Sequence, residues 1–295
     1  MIKKSLFALS LVFSVFSNVA FSKNLENYSV FDKNNNISDY SSLLKQAENA
    51  DIILFGELHN NSIVHWLQLR LTKDLFKNKE GKLVLGGEMF QVDEQIIIDE
   101  YLNKFISEEQ LKSETRLWKN YPTDYKPVID FALENKLKYI GTNIPIRYAN
   151  MISKKGINFI DNLDKKVKDA YFPPIPFPID KNLPNYKKML SMMSHSNTKT
   201  NLGDYMIEAQ ASKDATMAYF INKNWKPNYT FIHYNGTYHS NNYEGIYWYL
   251  KKYEPKLKIL TISSVEQDNL DVLENENLNL ADFTLCISDD MTKSY

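Results

Sequence analysis

Glutamate and histidine side chains that can transfer protons follow short apolar segments of this sequence. The first such segment, residues 52–55, is followed by Gly56 and then by Glu57 and His59. Later apolar segments also end in glycine or a polar turn, and the groups that follow them are Glu88, then Asn143 with Arg147 and Tyr148, and then His233 or His239. Such groups are costly to bury unless they are paired, so their recurrence favours one functional site over scattered surface residues.

The elements that position these groups are strands alternating with helices. An unbroken apolar run of strand length occurs at residues 52–55, and segments rich in apolar residues that we also read as strands occur at 82–87, 137–142, 229–234 and 257–262. Helical spacing of apolar residues fills the intervals. This alternation indicates βαβ units, and the carboxyl ends of parallel strands form the edge where ligands bind. We therefore predict an α/β fold, a mainly parallel sheet flanked by helices, with Glu57, Glu88, Asn143 and His239 along one edge. Residues 283–287 are expected to add an edge strand.

Residues 156–203 interrupt this alternation. They contain Pro173, Pro174, Pro176, Pro178 and Pro184 and a methionine-rich piece, residues 189–193. The segment is too aromatic and apolar to remain a solvated linker. We predict a smaller helical insertion subdomain at about residues 156–203, over the sheet edge, within a single domain of residues 23–295.

Composition narrows the possible partners. The 295 residues carry a formal net charge of -1, so nucleic acid is not expected as a partner. The aromatic load of 19 Tyr and 16 Phe favours flat ligands and interfaces. Cys286, the single cysteine of the sequence, cannot form an internal disulfide and lies in an apolar stretch typical of a buried thiol.

Residues 1–22 have the pattern of a cleaved export signal. Lys3 and Lys4 precede a short apolar run, and small residues follow at Ala20 and Ser22. The run is short for a membrane span, and no cysteine near the junction could carry a lipid. We expect a periplasmic or secreted protein, cleaved near Ser22.

Common catalytic signatures are absent. The sequence contains no Gly-x-Ser-x-Gly elbow, no phosphate-binding loop, no dinucleotide fingerprint and no His-Glu-x-x-His helix. A single cysteine also excludes zinc ribbons and iron–sulfur clusters.

An ordered set of short motifs runs through most of the sequence. The motifs, in chain order, are Gly-Glu-Leu-His-Asn-Asn at 56–61, Gly-Glu-Met-Phe at 87–90, Tyr-Lys-Pro at 125–127, Asn-Ile-Pro-Ile-Arg-Tyr-Ala at 143–149, Lys-Asp-Ala-Thr-Met-Ala at 213–218 and Gly-Thr-Tyr-His at 236–239. In this order they resemble the ChaN-like family of haem-binding, iron-uptake-associated exported proteins. The resemblance covers roughly residues 50–263. Members are often lipid-anchored, and this chain departs from that pattern.

The resemblance implies an α/β core and a homodimer that encloses haem between its subunits, with a tyrosine on iron and basic or histidine side chains on the propionates. Tyr148 is the first candidate for the ligand, because Arg147 beside it favours a phenolate, which suits ferric iron. His195, with Lys187 or Lys188, and His59 are candidates for the propionates. An outer-membrane haem or iron receptor is a further possible partner.

A hydrolase is the alternative function. The Gly-Glu-x-His and Gly-x-x-His ends also look like those of erythromycin-esterase-like and related hydrolases, in which histidine acts as a base or a divalent metal activates water. Glu57, His59, Glu88 and His239 would be the catalytic residues. The predicted cofactor is therefore haem for the haem-binding function and a divalent metal for the hydrolase alternative.

The export signal makes a direct prediction about the mature chain. Protein recovered from the periplasm should have a new amino terminus near Lys23, measured by intact-mass spectrometry. Retention of Met1, or an added diacylglycerol, would contradict the assignment.

Overall fold

A central sheet of eight strands organises the computed structural model, which describes residues 26–193 and 200–295. The strands are β1 (Tyr28–Asp32), β2 (Ile37–Ser38), β3 (Ile52–Glu57), β4 (Leu83–Gln91), β5 (Tyr139–Asn143), β6 (Thr230–Gly236), β7 (Ile259–Gln267) and β8 (Phe283–Ser288). Their order is β2-β1-β8-β7-β3-β6-β4-β5. Strands β3 to β8 are parallel, whereas β1 pairs antiparallel with both β8 and β2. The predicted α/β class with a mainly parallel sheet is confirmed.

Helices connect the strands and cover both faces of the sheet. They are α1 (Tyr40–Ala47), α2 (Ser62–Asn78), α3 (Gln95–Leu102), α4 (Glu108–Glu114), α5 (Lys126–Glu134), α6 (Ile146–Lys155), α7 (Lys165–Tyr171), α8 (Pro184–Met193), α9 (Thr200–Asn224) and α10 (Ile246–Tyr253). A single π-helical turn, Tyr121–Tyr125, precedes α5.

Burial on both faces explains the unbroken apolar runs of the central strands. In β3, Ile53 and Phe55 pack in the layer formed by α1, α2, α3 and α5, whereas Ile52 and Leu54 pack against α9 and α10. All four side chains are at most 1% exposed. Alternate residues of one strand therefore supply two cores, which a strand with one solvated face would not need.

The amino-terminal part of the sheet differs from the expectation. Residues 283–287 do not form an edge strand, because β1 pairs along the whole of β8. Residues 23–38 are rich in asparagine and serine, yet Val30 and Phe31 of β1, within this segment, are buried. A strand of five residues among asparagines and lysines carries too short a pattern to be recognised.

Between α6 and α9, the chain folds into helical pieces that pack in small clusters. Ile160 and Phe172 contact α6 residues in one cluster, and Tyr186 packs with Ile207 and Ala211 of α9 in another. The proposed signal, residues 1–22, lies outside the described residues. Within the described part of the chain, no helix combines the length and apolarity needed to cross a membrane.

Candidate functional site

Glu57 and His59 form a hydrogen-bonded pair at the carboxyl end of β3. His59 Nδ1 lies 3.0 Å from Glu57 Oε1, which also accepts a 2.6 Å hydrogen bond from the hydroxyl of Tyr125. Gln68 of α2 donates to the second oxygen at 2.6 Å. Glu57 is therefore buried with both oxygens occupied, while the His59 side chain remains 39% exposed.

Glu88 and His239 form a second pair beside the first. Glu88 Oε2 accepts from the backbone N–H of Gly236 at 2.8 Å, and Oε1 lies 3.2 Å from His239 Nε2. A Cβ atom at position 236 would lie only 2.8 Å from ring atoms of His59, so glycine is needed for the two pairs to approach.

Asp214 of α9 completes this group of side chains and was not among the residues predicted for the site. Its Oδ1 lies 2.5 Å from His239 Nδ1, and its Oδ2 accepts from the hydroxyl of Tyr186 at 2.7 Å. Asp214 lies in the Lys-Asp-Ala motif, which was the one sequence signal that could have identified it. The helix that carries Asp214, α9, packs on the same face of the sheet as α10, and no local sequence pattern specifies this packing.

The carboxylates keep His239 protonated. Burial alone would lower the pKa of His239, but the charges of Glu88 and Asp214 raise it to about 10. Burial raises the pKa of Glu88, and the opposing charge and hydrogen bond of His239 lower it well below its usual range. Glu57 behaves in the same way: burial is outweighed by His59 and His65, which lower its pKa.

The pKa of His59 is also raised. Burial opposes the charged form, but the hydrogen bond and charge of Glu57, together with Glu88, outweigh burial. Its Nδ1 is occupied by Glu57, and no described residue hydrogen-bonds to its Nε2. This nitrogen is free to bind or deprotonate a ligand.

A cavity of about 670 Å³ opens over these pairs, and we call it the strand-end cavity. Its walls include Glu57, His59, Glu88 and His239, and side chains of α8, α9 and the β6 end: Tyr186, Met189, Gln210, Lys213 and Tyr238. Tyr238 is 55% exposed. Lys213 forms no ion pair with a described residue. The four predicted catalytic residues thus meet in one cavity, and sequence reasoning missed Gln210, Lys213 and Tyr238 as lining residues.

Other predicted residues lie elsewhere. Arg147 is paired with Asp93 and stacks on Tyr148, with 4.5 Å from its guanidinium carbon to the ring centroid. The Tyr148 ring packs against the Phe172 ring, with 5.4 Å between the ring centroids, and Tyr148 does not line the strand-end cavity. Lys187 and Lys188 are exposed on α8, beside three residues of that helix that line the cavity, Asn185, Tyr186 and Met189. His195 lies outside the described residues.

Asn143 and His233 have structural roles. The Asn143 amide donates to the Glu88 carbonyl at 3.2 Å, which fixes the β4 end. His233 is fully buried between Thr142 and Asn235, and burial lowers its pKa to about 4. Of the two histidines proposed for the β6 end, His239 reaches the cavity.

The divalent-metal alternative finds no site in the part of the chain that the structure describes. There, no three His, Cys, Asp or Glu side chains are arranged to hold a metal ion. The carboxylate oxygens of Glu57 and Glu88 already face imidazole, amide or hydroxyl donors.

Comparison with known proteins identifies relatives of this arrangement. The family model described as haem-binding uptake, Tiki superfamily, ChaN matches residues 43–250. The structure of ChaN of Campylobacter jejuni, reported with cofacial haem binding, superposes with a TM-score of 0.65 at 18% identity, covering 89% of this chain and 98% of that one. This similarity shows a shared fold. An erythromycin esterase mutant in its open conformation gives a TM-score of 0.47 at 10% identity, covering 82% of this chain and 77% of that one. None of the curated proteins matches.

The paired charges predict coupled titration. Glu88→Gln removes the largest influence that raises the pKa of His239, so that pKa should fall from about 10 towards its ordinary value, and the pKa of His59 should fall as well. NMR titration of the histidine rings measures both. Because the pKa of His239 is higher in the folded state than in the unfolded state, its protonation stabilises the fold. This contribution is complete below pH 6.5, the ordinary pKa of histidine, and is lost as the pH rises to about 10. The variant should therefore lose less stability over this alkaline range than the wild type.

The exposed Glu134→Gln variant is the matched control, because Glu134 does not line the cavity. Unchanged titration of His59 and His239 in Glu88→Gln would show that the four residues do not act as one site.

Proposed function

Because the chain belongs to the haem-binding uptake family of the Tiki superfamily that includes ChaN, we propose that it is an exported protein that binds haem for iron acquisition or storage. The family match carries this proposal, since residues 43–250 include Glu57, His59, Glu88 and His239. Export rests on the signal pattern of residues 1–22. A haem or iron receptor of the outer membrane is the proposed source of the ligand.

The strand-end cavity has features that fit haem. Its volume of about 670 Å³ is within the range of cofactor sites, roughly 300–1,000 Å³. Leu58, Met189 and the ring of Tyr238 provide apolar contact for a flat ligand. The Lys213 ammonium lines the same cavity without an ion pair to any described residue, so it can meet a propionate. When bound, haem supplies a ferric centre that accepts an anionic oxygen ligand.

Tyr186, Tyr238 and Tyr295 line the cavity, and of these we propose Tyr238 as the iron ligand. The Tyr186 hydroxyl already donates to Asp214, and burial raises its pKa, which disfavours a phenolate. Tyr238 is 55% exposed, lines the cavity and belongs to the Gly-Thr-Tyr-His motif at 236–239, so its ring is accessible to a ligand in the cavity. Tyr148, the candidate from the sequence, lies outside the cavity and remains the alternative ligand.

We propose a homodimer with haem at the subunit interface. Lys187 and Lys188 lie on the solvent side of α8, next to cavity residues Tyr186 and Met189, so they can reach a haem held by a second copy. Arg147, His195 and His59 remain the other candidates for the propionates.

Two single substitutions test the ligand. Titration of the purified protein with hemin should give a high-spin ferric spectrum with a phenolate charge-transfer band. Tyr238→Phe should lose that band and bind hemin at least tenfold more weakly, whereas Tyr148→Phe should behave as the wild type. The reverse result would make Tyr148 the ligand.

Sedimentation of the hemin-loaded and hemin-free protein measures whether two chains associate, and the hemin-loaded protein should sediment as a dimer. A folded wild-type protein that binds no hemin would overturn the haem proposal itself.

Hydrolysis is the second candidate function, favoured by the free Nε2 of His59 in the cavity. With Nδ1 donating to Glu57, this nitrogen can remove a proton from water as a general base. Ester hydrolysis should increase as pH rises through the raised pKa of His59, because only the neutral ring accepts a proton.

p-Nitrophenyl acetate is a suitable substrate for this test. Loss of the base in His59→Gln should lower the rate about 100-fold or more. An equal rate in His59→Gln and the wild type would exclude this role for His59.

A further inference from the structure

A second concave surface follows the open edge of the sheet at β5, which is separated from β3 by β6 and β4. Among the strands that the structure describes, the sheet ends at β5, so one side of this strand has no neighbouring strand. Tyr139 of β5 packs in the layer that contains α3, and Ile140 packs in the layer that contains α9. Between the two helical layers lies a groove of about 870 Å³, which we call the β5 groove. It is lined by α3, β5, the α5–β5 loop and the end of α9.

The side chain of Gln95 occupies the position of a missing strand. Its Nε2 donates to the carbonyl of Tyr139 at 3.0 Å, and its Oε1 accepts from the N–H of Gly141 at 2.8 Å. One side-chain amide therefore makes the two hydrogen bonds that a backbone amide of a ninth strand would make. Free strand edges accept added strands unless they are blocked, and here the Gln95 amide is the group that blocks the buried edge of β5.

Lysines surround the β5 groove. Lys104, Lys136, Lys138 and Lys223 line it and are exposed, against the acidic residues Asp99 and Glu134. None of the four lysines forms an ion pair with a described residue, although Lys223 lies 5.4 Å from the ring centroid of Phe220. The floor includes apolar side chains such as Leu102, Leu137 and Ile140.

We propose that the β5 groove binds an extended, acidic segment of a partner protein, which adds a strand to β5 and displaces the Gln95 amide. Backbone hydrogen bonds to Tyr139 and Gly141 supply the register, and acidic side chains of the peptide meet the lysines. Alternate side chains of such a strand point towards the two helical layers, where the apolar floor contacts them.

The excess of lysines in the β5 groove favours an acidic peptide over a second copy of the chain as the ligand of this surface. Two β5 grooves facing each other would bring eight exposed lysines together against four acidic residues, which disfavours self-association through this surface. An acidic peptide relieves the same excess of positive charge.

The probe is a fluorescein-labelled octapeptide of alternating glutamate and threonine, which favours an extended strand. Fluorescence anisotropy at low salt should show saturable binding to the full chain, and a lysine–threonine peptide should not bind. The double variant Lys136→Glu/Lys138→Glu should bind at least tenfold more weakly. Lys33→Glu/Lys45→Glu changes the net charge equally at exposed positions that do not line the groove, and its affinity should match the wild type.

Gln95→Ala separates strand addition from charge attraction. If the peptide pairs with β5, removing the competing amide should strengthen binding threefold or more, and hydrogen exchange of residues 139–141 should slow when the peptide binds. Equal affinity in Gln95→Ala and the wild type, without this protection, would overturn strand addition. No saturable binding to the wild type, or equal loss in both lysine pairs, would overturn the site. Hemin titration of the same variants should be unchanged, so failure of this proposal is distinguishable from failure of haem binding.

Discussion

The site of this protein depends on keeping Glu57 and Glu88 ionised while both are buried, near the carboxyl ends of β3 and β4, the two parallel strands that flank β6. Removing a carboxylate from water costs several kcal/mol unless charge and hydrogen bonds replace the solvent. His59 and His239 provide the opposite charge, and Gln68, Tyr125 and the Gly236 amide provide further donors. Loss of any of these groups leaves a buried charge without its partner, so the site is expected to fold as one cooperative unit.

This requirement explains why distant elements converge on the strand ends. Asp214 comes from α9 and Tyr186 from α8, and together they hold the far side of the His239 ring. Tyr125 comes from a π-helical turn, a local irregularity of the kind often found where a side chain must be aimed at a site. The helical layer of α2 and the π-helical turn thus supports Glu57, and the layer of α8 and α9 supports His239.

The strand-end cavity has a paired floor and, above it, groups without a partner among the described residues. Glu88, Asp214 and His239 contact one another, whereas no described residue forms an ion pair with Lys213 or a hydrogen bond with the Tyr238 hydroxyl or His59 Nε2. A rigid, charged floor beneath adaptable tyrosine and methionine side chains suits a flat ligand that carries its own carboxylates. The same floor, with His59 orientated by Glu57, also suits proton transfer, which is why one cavity supports two candidate functions.

The sequence by itself determined the parallel α/β class and the four residues that meet at the strand ends, because burial on both faces produces unbroken apolar runs and parallel strands align their carboxyl ends. It also carried the ordered motifs of the family. Only the tertiary structure decided that Asp214 and Tyr186 complete the site and that Tyr148 lies outside the cavity. Their positions follow from how α6, α8 and α9 pack on the sheet, and packing between segments distant in sequence leaves no periodic pattern in the chain. The antiparallel pairing of β1 with β8 was also decided only by the tertiary structure. The two strands are more than 250 residues apart in sequence, and their pairing depends on which edge of the sheet is open.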